Sequence, residues 1–126
     1  MKKYFFFLIV ITSLSVAAQN AQGIIDNLKK ELKAHPDAKK TATIYSDLTW
    51  YYSTVSIDSA LQYGNKAVVA STKLGDSTLI AQVYSDVGAV YFRKGDFQNS
   101  KENYLKAYKI RKARKDYRGL AKIRGG

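Results

Sequence analysis

The stretch from Ile80 to Ala107 constrains the fold most, because it has the pattern of two amphipathic helices joined by a tight turn. Apolar residues recur there at steps of three and four, which places them along one face of an α-helix. Gly95-Asp96 interrupts the pattern, with a glycine suited to ending one helix and an aspartate suited to capping the next. The segment therefore predicts a helix–turn–helix hairpin. Its apolar positions are Ile80, Val83, Tyr84, Val87, Val90 and Tyr91 before the turn and Phe97, Tyr104, Leu105, Ala107, Tyr108 and Ile110 after it.

The same pattern occurs twice in the chain. Tyr45-Ser46-Asp47-Leu48 recurs 39 residues later as Tyr84-Ser85-Asp86-Val87, and Ala67 recurs 40 residues later as Ala107. A difference of one residue in the turn between the helices reconciles the two offsets. The chain is therefore predicted to contain two tandem helical hairpins with a period of about 40 residues.

Nine residues of the second hairpin match, in order, the signature of the tetratricopeptide repeat, which this chain resembles. The proline that the family places near Lys112 is absent, which fits a longer variant of the repeat similar to the long-period repeats of bacterial sensor and regulatory proteins. The resemblance implies an all-α fold in which hairpins stack as a right-handed α-solenoid. The matching residues are Tyr84, Val87, Gly88, Tyr91, Gly95, Phe97, Ser100, Tyr104 and Ala107.

The first 18 residues have the pattern of a secretory signal peptide. Lys2 and Lys3 precede an apolar run over residues 4–16, and small residues follow. An uncleaved membrane anchor is the alternative, but the run is shorter than the roughly 20 residues that span a bilayer. We therefore predict cleavage between Ala18 and Gln19 and export across the inner membrane, to a periplasmic or membrane-associated location.

Turn and cap residues predict where the remaining helices begin and end. Asp37 is the expected N-cap of the first repeat, Ser56 or Asp58 caps its second helix, and Gly75 ends that helix. We expect Lys115-Asp116 to separate the second repeat from a third. The predicted units are a leader at 19–36 with a short amphipathic helix at Ile24–Lys33, repeat 1 at 37–76, repeat 2 at 77–115 and the start of a truncated third repeat at 116–126.

The start of a third repeat predicts that the chain is the front end of a longer protein, since about three such repeats are needed to bury a shared core. The alternative is a short protein that ends in a stub cap. In either case, an unburied apolar surface over Val83–Tyr108 predicts self-association or poor solubility of the chain as given.

Residues for catalysis or metal binding are sparse. Cysteine is absent, and His35, the only histidine, precedes a proline in a linker. A metal site needs several ligands that converge, whereas the aspartates here are spaced as helix caps and turns. We therefore expect a protein that is not an enzyme and that has no cofactor and no metal site.

The resemblance assigns a partner-binding groove to the first helix of each hairpin, at positions off the apolar stripe. Trp50 is a candidate interface residue, although packing against the leader helix is an equal alternative. Asp47 and Asp86 would repel a terminal carboxylate, which argues against a carboxylate-clamp subtype and favours a basic or neutral segment. The groove positions are Thr43, Ser46, Asp47, Trp50, Thr54, Gln82, Ser85, Asp86, Ala89 and Arg93.

A basic run over Lys101–Arg124 adds to a formal charge of +11 on the chain. A solvated helix face explains it more simply than an anion site, and export removes most nucleic acid from reach, so no nucleic-acid partner is expected. Three functions remain: an exported protein–protein interaction scaffold, the sensory input region of a membrane-bound histidine kinase or transcription regulator, and a basic anion-binding module. We favour the scaffold, with a protein or peptide partner.

Overall fold

The structure, a computed structural model, describes the backbone of residues 20–124 and the side chains of residues 20–114. Within this range the chain is helical, without strands, which confirms the all-α prediction. The predicted signal peptide and its cleavage site at Ala18 and Gln19 lie outside the described residues. The helices are α1 at 20–33, α2 at Ala38–Tyr52, α3 at Ile57–Leu74, α4 at Ser77–Lys94 and α5 at Phe97–Arg124.

The predicted caps and turns position the helix ends. Asp37 Oδ1 accepts the backbone N–H of Lys40 at 2.8 Å, and Ser56 rather than Asp58 caps α3. Gly75 and Gly95 have φ angles of +66° and +86°, the left-handed region that favours glycine. Side-chain oxygens cap α2, α3 and α4 at their N-termini, and each turn after α3 and α4 needs its glycine.

The last helix differs from the sequence-based expectation. We expected a helix end at Lys115-Asp116, but α5 continues to Arg124. The two earlier boundaries place a glycine before the aspartate, at Gly75 and Gly95, whereas Lys115 occupies that position here. Without a residue suited to the left-handed conformation, the backbone has no local reason to stop. A third repeat beginning at residue 116 stays a prediction, but no helix ends in front of it.

The helices pack as two hairpins that lie against each other. Helix α2 contacts α3, α4 contacts α5, and α4 also contacts both helices of the first hairpin. One buried cluster joins α1 through α4, and a second joins α3 to α4. The buried members are Ile25, Ile44, Leu48, Tyr52, Ala60 and Val90 in the first cluster and Ala67, Val83 and Val87 in the second.

In each hairpin a glycine allows the two helices to approach closely. The glycine lies on the second helix of the first hairpin and on the first helix of the second hairpin. In the second hairpin, a methyl group built on Gly88 would lie 3.0 Å from the Tyr104 ring, and Ser100 Oγ donates to the Gly88 carbonyl at 2.8 Å. In the first hairpin, the positions equivalent to Gly88 and Tyr104 hold Thr49 and Gly64, which face each other. Gly88 and Ser100, two of the residues that match the repeat signature, therefore lie at the close contact between the helices of the second hairpin.

We expect Gly64→Ala to lower the free energy of unfolding by about 1 kcal/mol, because overpacking costs about 1–3 kcal/mol and helix propensity returns up to about 1. The new methyl group would lie 2.8 Å from Val87 Cγ2, on a side chain that is itself buried. Urea unfolding followed by circular dichroism measures the change. The matched control is Gly23→Ala in α1, where nothing lies within 4 Å. That variant should be more stable than the parent, and equal effects at the two sites would contradict the packing described.

Candidate functional site

A cavity of about 320 Å³ lies where α2 and α4 run side by side. Five of its six lining residues belong to the groove that the sequence predicted. The sixth, Tyr51, is half-buried and packs against the first core cluster. The lining residues are Ser46, Asp47, Trp50, Tyr51, Gln82 and Asp86.

The other predicted groove residues do not line this cavity. Thr43, Thr54 and Arg93 are exposed, whereas Ser85 and Ala89 are half-buried. Within the cavity, Ser46 and Asp86 are 4% and 7% exposed, so they form its floor rather than a freely presented surface.

Asp86 connects the two hairpins through hydrogen bonds. Its Oδ2 accepts from Ser46 Oγ at 3.1 Å, across 40 residues of sequence, and its Oδ1 accepts from Gln82 Nε2 at 3.0 Å. A buried carboxylate is costly unless it is hydrogen-bonded or paired with a cation. The two hydrogen bonds orient the carboxylate and fix α2 against α4 at the cavity.

Within residues 20–114, neither carboxyl group of the cavity has a cationic partner at ion-pair distance. Among the described residues, the ion pairs within 4 Å are Lys39–Asp76 and Lys40–Glu31. Burial raises the pKa of Asp86, and the hydrogen bonds from Gln82 and Ser46 oppose that shift. Burial also raises the pKa of Asp47, with a further contribution from the charge of Glu31. The charge of Arg111 also lowers the pKa of Asp86, but Arg111 forms no ion pair with this carboxyl group. The cavity is thus an acidic site whose two carboxyl groups form no ion pair within residues 20–114.

Trp50 is exposed at the edge of the cavity, with 46% of its surface accessible. The guanidinium of Arg93 lies 5.6 Å from the indole ring, and Arg93 Nη1 donates to Ser53 Oγ at 2.7 Å. The leader helix instead buries Ile25 against the first core cluster. Of the two alternatives for Trp50, the structure therefore shows the exposed position.

We expect Asp86→Asn to raise the melting temperature at pH 7. The pKa of Asp86 is higher in the folded chain than its ordinary value of 3.8. The free energy of unfolding therefore falls as pH rises from 3.8 through the pKa of the folded state. An amide carries no charge to desolvate, and it can still bond to Ser46 and Gln82. Asp47 and Arg111 are the other charged groups that act on this carboxyl group.

The gain from this substitution should be largest at neutral pH and disappear below about pH 4, where the native carboxyl is also neutral. Thermal unfolding of both proteins at pH 7 and pH 3.5 measures it. A variant that melts below the parent at pH 7 would show that the charged carboxylate stabilises the fold instead.

A larger cavity of about 450 Å³ lies along α3, and Tyr45 of α2 also lines it. None of the predicted groove residues lines it. The ammonium of Lys66 lies 5.9 Å from the Tyr45 ring and 5.3 Å from the Tyr63 ring. Lys106 lies over Tyr84 in the equivalent place of the second hairpin. Because both hairpins repeat this lysine–tyrosine contact, we assign it to the packing of the repeat.

The basic face of α5 is partly engaged by the chain itself. Arg111 Nη1 donates to Ser85 Oγ at 2.8 Å, and Lys112 lies 6.0 Å from the Tyr108 ring. Within the described residues no set of three or more His, Cys, Asp or Glu side chains is grouped for a metal ion. No described helix is both long and apolar enough to span a membrane.

Two antiparallel helical hairpins with a 40-residue spacing of contacts, glycine turns and a cavity lined by the first helix of each define a tetratricopeptide-type repeat protein. Proteins of this class are in general scaffolds for protein–protein interaction. The family model described as the SusR N-terminal TPR domain matches residues 13–119, and the chain belongs to that family. Comparisons with curated proteins and with solved structures return no match.

Proposed function

We propose that this chain is a non-catalytic scaffold, exported across the inner membrane, that binds a peptide or partner domain on the surface formed by α2 and α4. The observation that carries this proposal is the cavity between these helices, with Trp50 exposed at its edge. The stacked hairpins are proposed to continue as a right-handed superhelix, with this surface on its concave side.

Two physical features favour binding at this surface. Tryptophan is enriched among the residues that contribute most to interface affinity, because it buries a large rigid area at a small cost in side-chain entropy. Here Trp50 is already restrained by Arg93, which is hydrogen-bonded to Ser53. Because the wall of the cavity is preorganised, less freedom is lost on association.

A second candidate function is the sensory input region of a membrane-bound signalling protein, such as a histidine kinase or transcription regulator. The matching family is described as an N-terminal domain, which favours a place at the front of a larger protein. The discriminating observation is the gene sequence beyond codon 126. A second apolar span of roughly 20 residues would favour this candidate over a freely exported scaffold.

Self-association through α5 is a further part of the proposal. Val83 and Val87, which belong to the stretch that we expected to be open, are buried. In the second hairpin, large apolar residues are instead exposed beside the α4–α5 turn and along α5. Sedimentation over a range of concentrations measures the assembly, and a monomer at all of them would contradict it. The exposed residues are Phe92, Phe97, Tyr104, Leu105 and Tyr108.

A peptide-display selection on the immobilised chain tests the binding surface. Because Trp50 is the only tryptophan in the sequence, its fluorescence, excited at a wavelength that spares tyrosine, reports occupancy of the α2–α4 surface without a label. We expect selected peptides to shift its emission with a saturable dependence on concentration. Peptides that bind but leave the emission unchanged, or a selection that recovers none, would contradict the proposal.

A further inference from the structure

The α2–α4 cavity is an acidic site on a strongly basic chain. The sequence has 21 Lys and Arg against 10 Asp and Glu, yet neither Asp47 nor Asp86 forms an ion pair in the described residues. Partner recognition by overall charge would favour an anion. The local chemistry of this cavity favours the opposite sign.

The wall of the cavity already accommodates a cation of the chain itself. The guanidinium of Arg93 lies 5.6 Å from the Trp50 ring, within the range of a cation–π contact. Arg93 is not among the residues that line the cavity, whereas Trp50 is. The part of the indole that borders the cavity is therefore left for another group.

The volume of the cavity is sufficient for one long side chain. Pockets for small molecules have volumes of about 300–1,000 Å³, and this cavity, at about 320 Å³, lies at the lower end. A bare metal ion is a poor fit, because no set of three or more acidic, His or Cys residues is grouped within the described part of the chain.

We propose that this cavity takes the side chain of a lysine or arginine from a partner polypeptide, with its charged head at Asp47 and Asp86 and its aliphatic stem against Trp50. This inference rests on the proposed function, because it assigns the side chain that the same surface would recognise. Ser46 and Gln82 hold the Asp86 carboxylate by hydrogen bonds at 3.1 and 3.0 Å, so the acceptor is oriented before the partner arrives.

Charge compensation is the physical reason for the preference. Burial disfavours the carboxylate of Asp86, which is 7% exposed, and raises its pKa. Asp47 is exposed at the mouth of the same cavity, and partial desolvation raises its pKa as well. A bound ammonium or guanidinium would replace the lost hydration and form charge-assisted hydrogen bonds with them. A bound carboxylate would add a third negative charge to the same site.

The test is a titration of the chain with four blocked pentapeptides, acetyl-Gly-Gly-X-Gly-Gly-amide, in which X is Lys, Arg, norleucine or Glu. Trp50 emission is the signal. Norleucine matches the aliphatic stem of lysine without its charge, so the comparison isolates the cation. We expect the Lys and Arg peptides to bind at least tenfold more tightly than the norleucine peptide, and the Glu peptide to produce no saturable change.

The Asp47→Asn/Asp86→Asn double variant should lose at least tenfold in affinity for the Lys peptide. The control Glu102→Gln, which removes a negative charge from an exposed position on α5 outside the cavity, should keep the parent affinity. Circular dichroism verifies that each variant is folded, and the Asp86 substitution is itself expected to be stabilising.

The outcomes separate this inference from the broader proposal. Equal binding of the norleucine and Lys peptides, or full affinity in the double variant, would overturn the cationic preference but leave α2 and α4 as a binding surface. Silence from all four peptides would overturn the inference as well. The display selection decides independently whether the surface binds any polypeptide.

Discussion

Leu48→Ala is expected to lower the free energy of unfolding by about 3 kcal/mol, within the range of 2–5 kcal/mol seen when large aliphatic side chains are removed from cores. Leu48 is fully buried in the cluster that joins α1, α2, α3 and α4. Since this cluster contains Ile25 from the leader and Val90 from the second hairpin, the cavity created would weaken contacts among several helices at once.

For a domain of this size, the change corresponds to a fall in melting temperature of about 15 °C. Thermal unfolding followed by circular dichroism measures it. The matched control is Val69→Ala on α3, since Val69 is 59% exposed and its truncation should change stability by less than about 0.5 kcal/mol. Similar effects at the two positions would mean that the helices are not joined through Leu48.

Trp50→Ala is expected to weaken binding of the selected peptides by about 30-fold, or about 2 kcal/mol, as for a tryptophan that contributes strongly to an interface. The indole borders the cavity and supplies its largest accessible aromatic surface. Its removal would also release Arg93 from its contact with the ring. Because the fluorescent group is lost, isothermal titration calorimetry is the appropriate measurement.

Phe92→Ala is the matched control, because it truncates another exposed aromatic residue on α4 that does not line the cavity. The ring of Phe92 packs against that of Phe97, with the two ring centroids 5.3 Å apart. We expect this variant to bind peptides like the parent. A loss at Phe92 as large as the loss at Trp50 would place the binding surface at the α4–α5 turn instead.

The helix boundaries followed from local chemistry and could therefore be predicted from the sequence. Gly75 and Gly95 each precede an aspartate, and each takes a left-handed conformation that other residues adopt only at a cost. Ser56 and Asp37 cap the helices that follow them. The same reasoning does not hold at Lys115-Asp116, where no glycine precedes the aspartate and α5 continues to Arg124.

Contacts between helices were less accessible from the sequence. In the first hairpin Thr49 stands at the position of Gly88, yet Gly64 supplies the small residue from the opposite helix. Aligning the two repeats shows which residue occupies each equivalent position. It does not show which residue of the neighbouring helix faces that position. That information depends on the relative rotation of two helices, which periodicity leaves open.

The candidate site was anticipated in its residues but not in its chemistry. The repeat pattern placed Asp47, Trp50 and Gln82 on one surface, and the structure brings them together. The repeat pattern did not indicate that Ser46 and Asp86 are buried and hydrogen-bonded to each other. Such a bond requires two hairpins to stack in one register, a long-range fact with no local sequence signal.

Methyl–methyl nuclear Overhauser effects from Val90 provide the most direct test that α2 and α4 lie side by side and enclose the cavity together. Val90 on α4 belongs to the same buried cluster as Ile44 and Leu48 on α2. In the structure described here, Val90 methyl groups should show cross-peaks to the methyl groups of Ile44 or Leu48. Cross-peaks confined to each hairpin, with none between α2 and α4, would contradict the arrangement on which the binding surface depends.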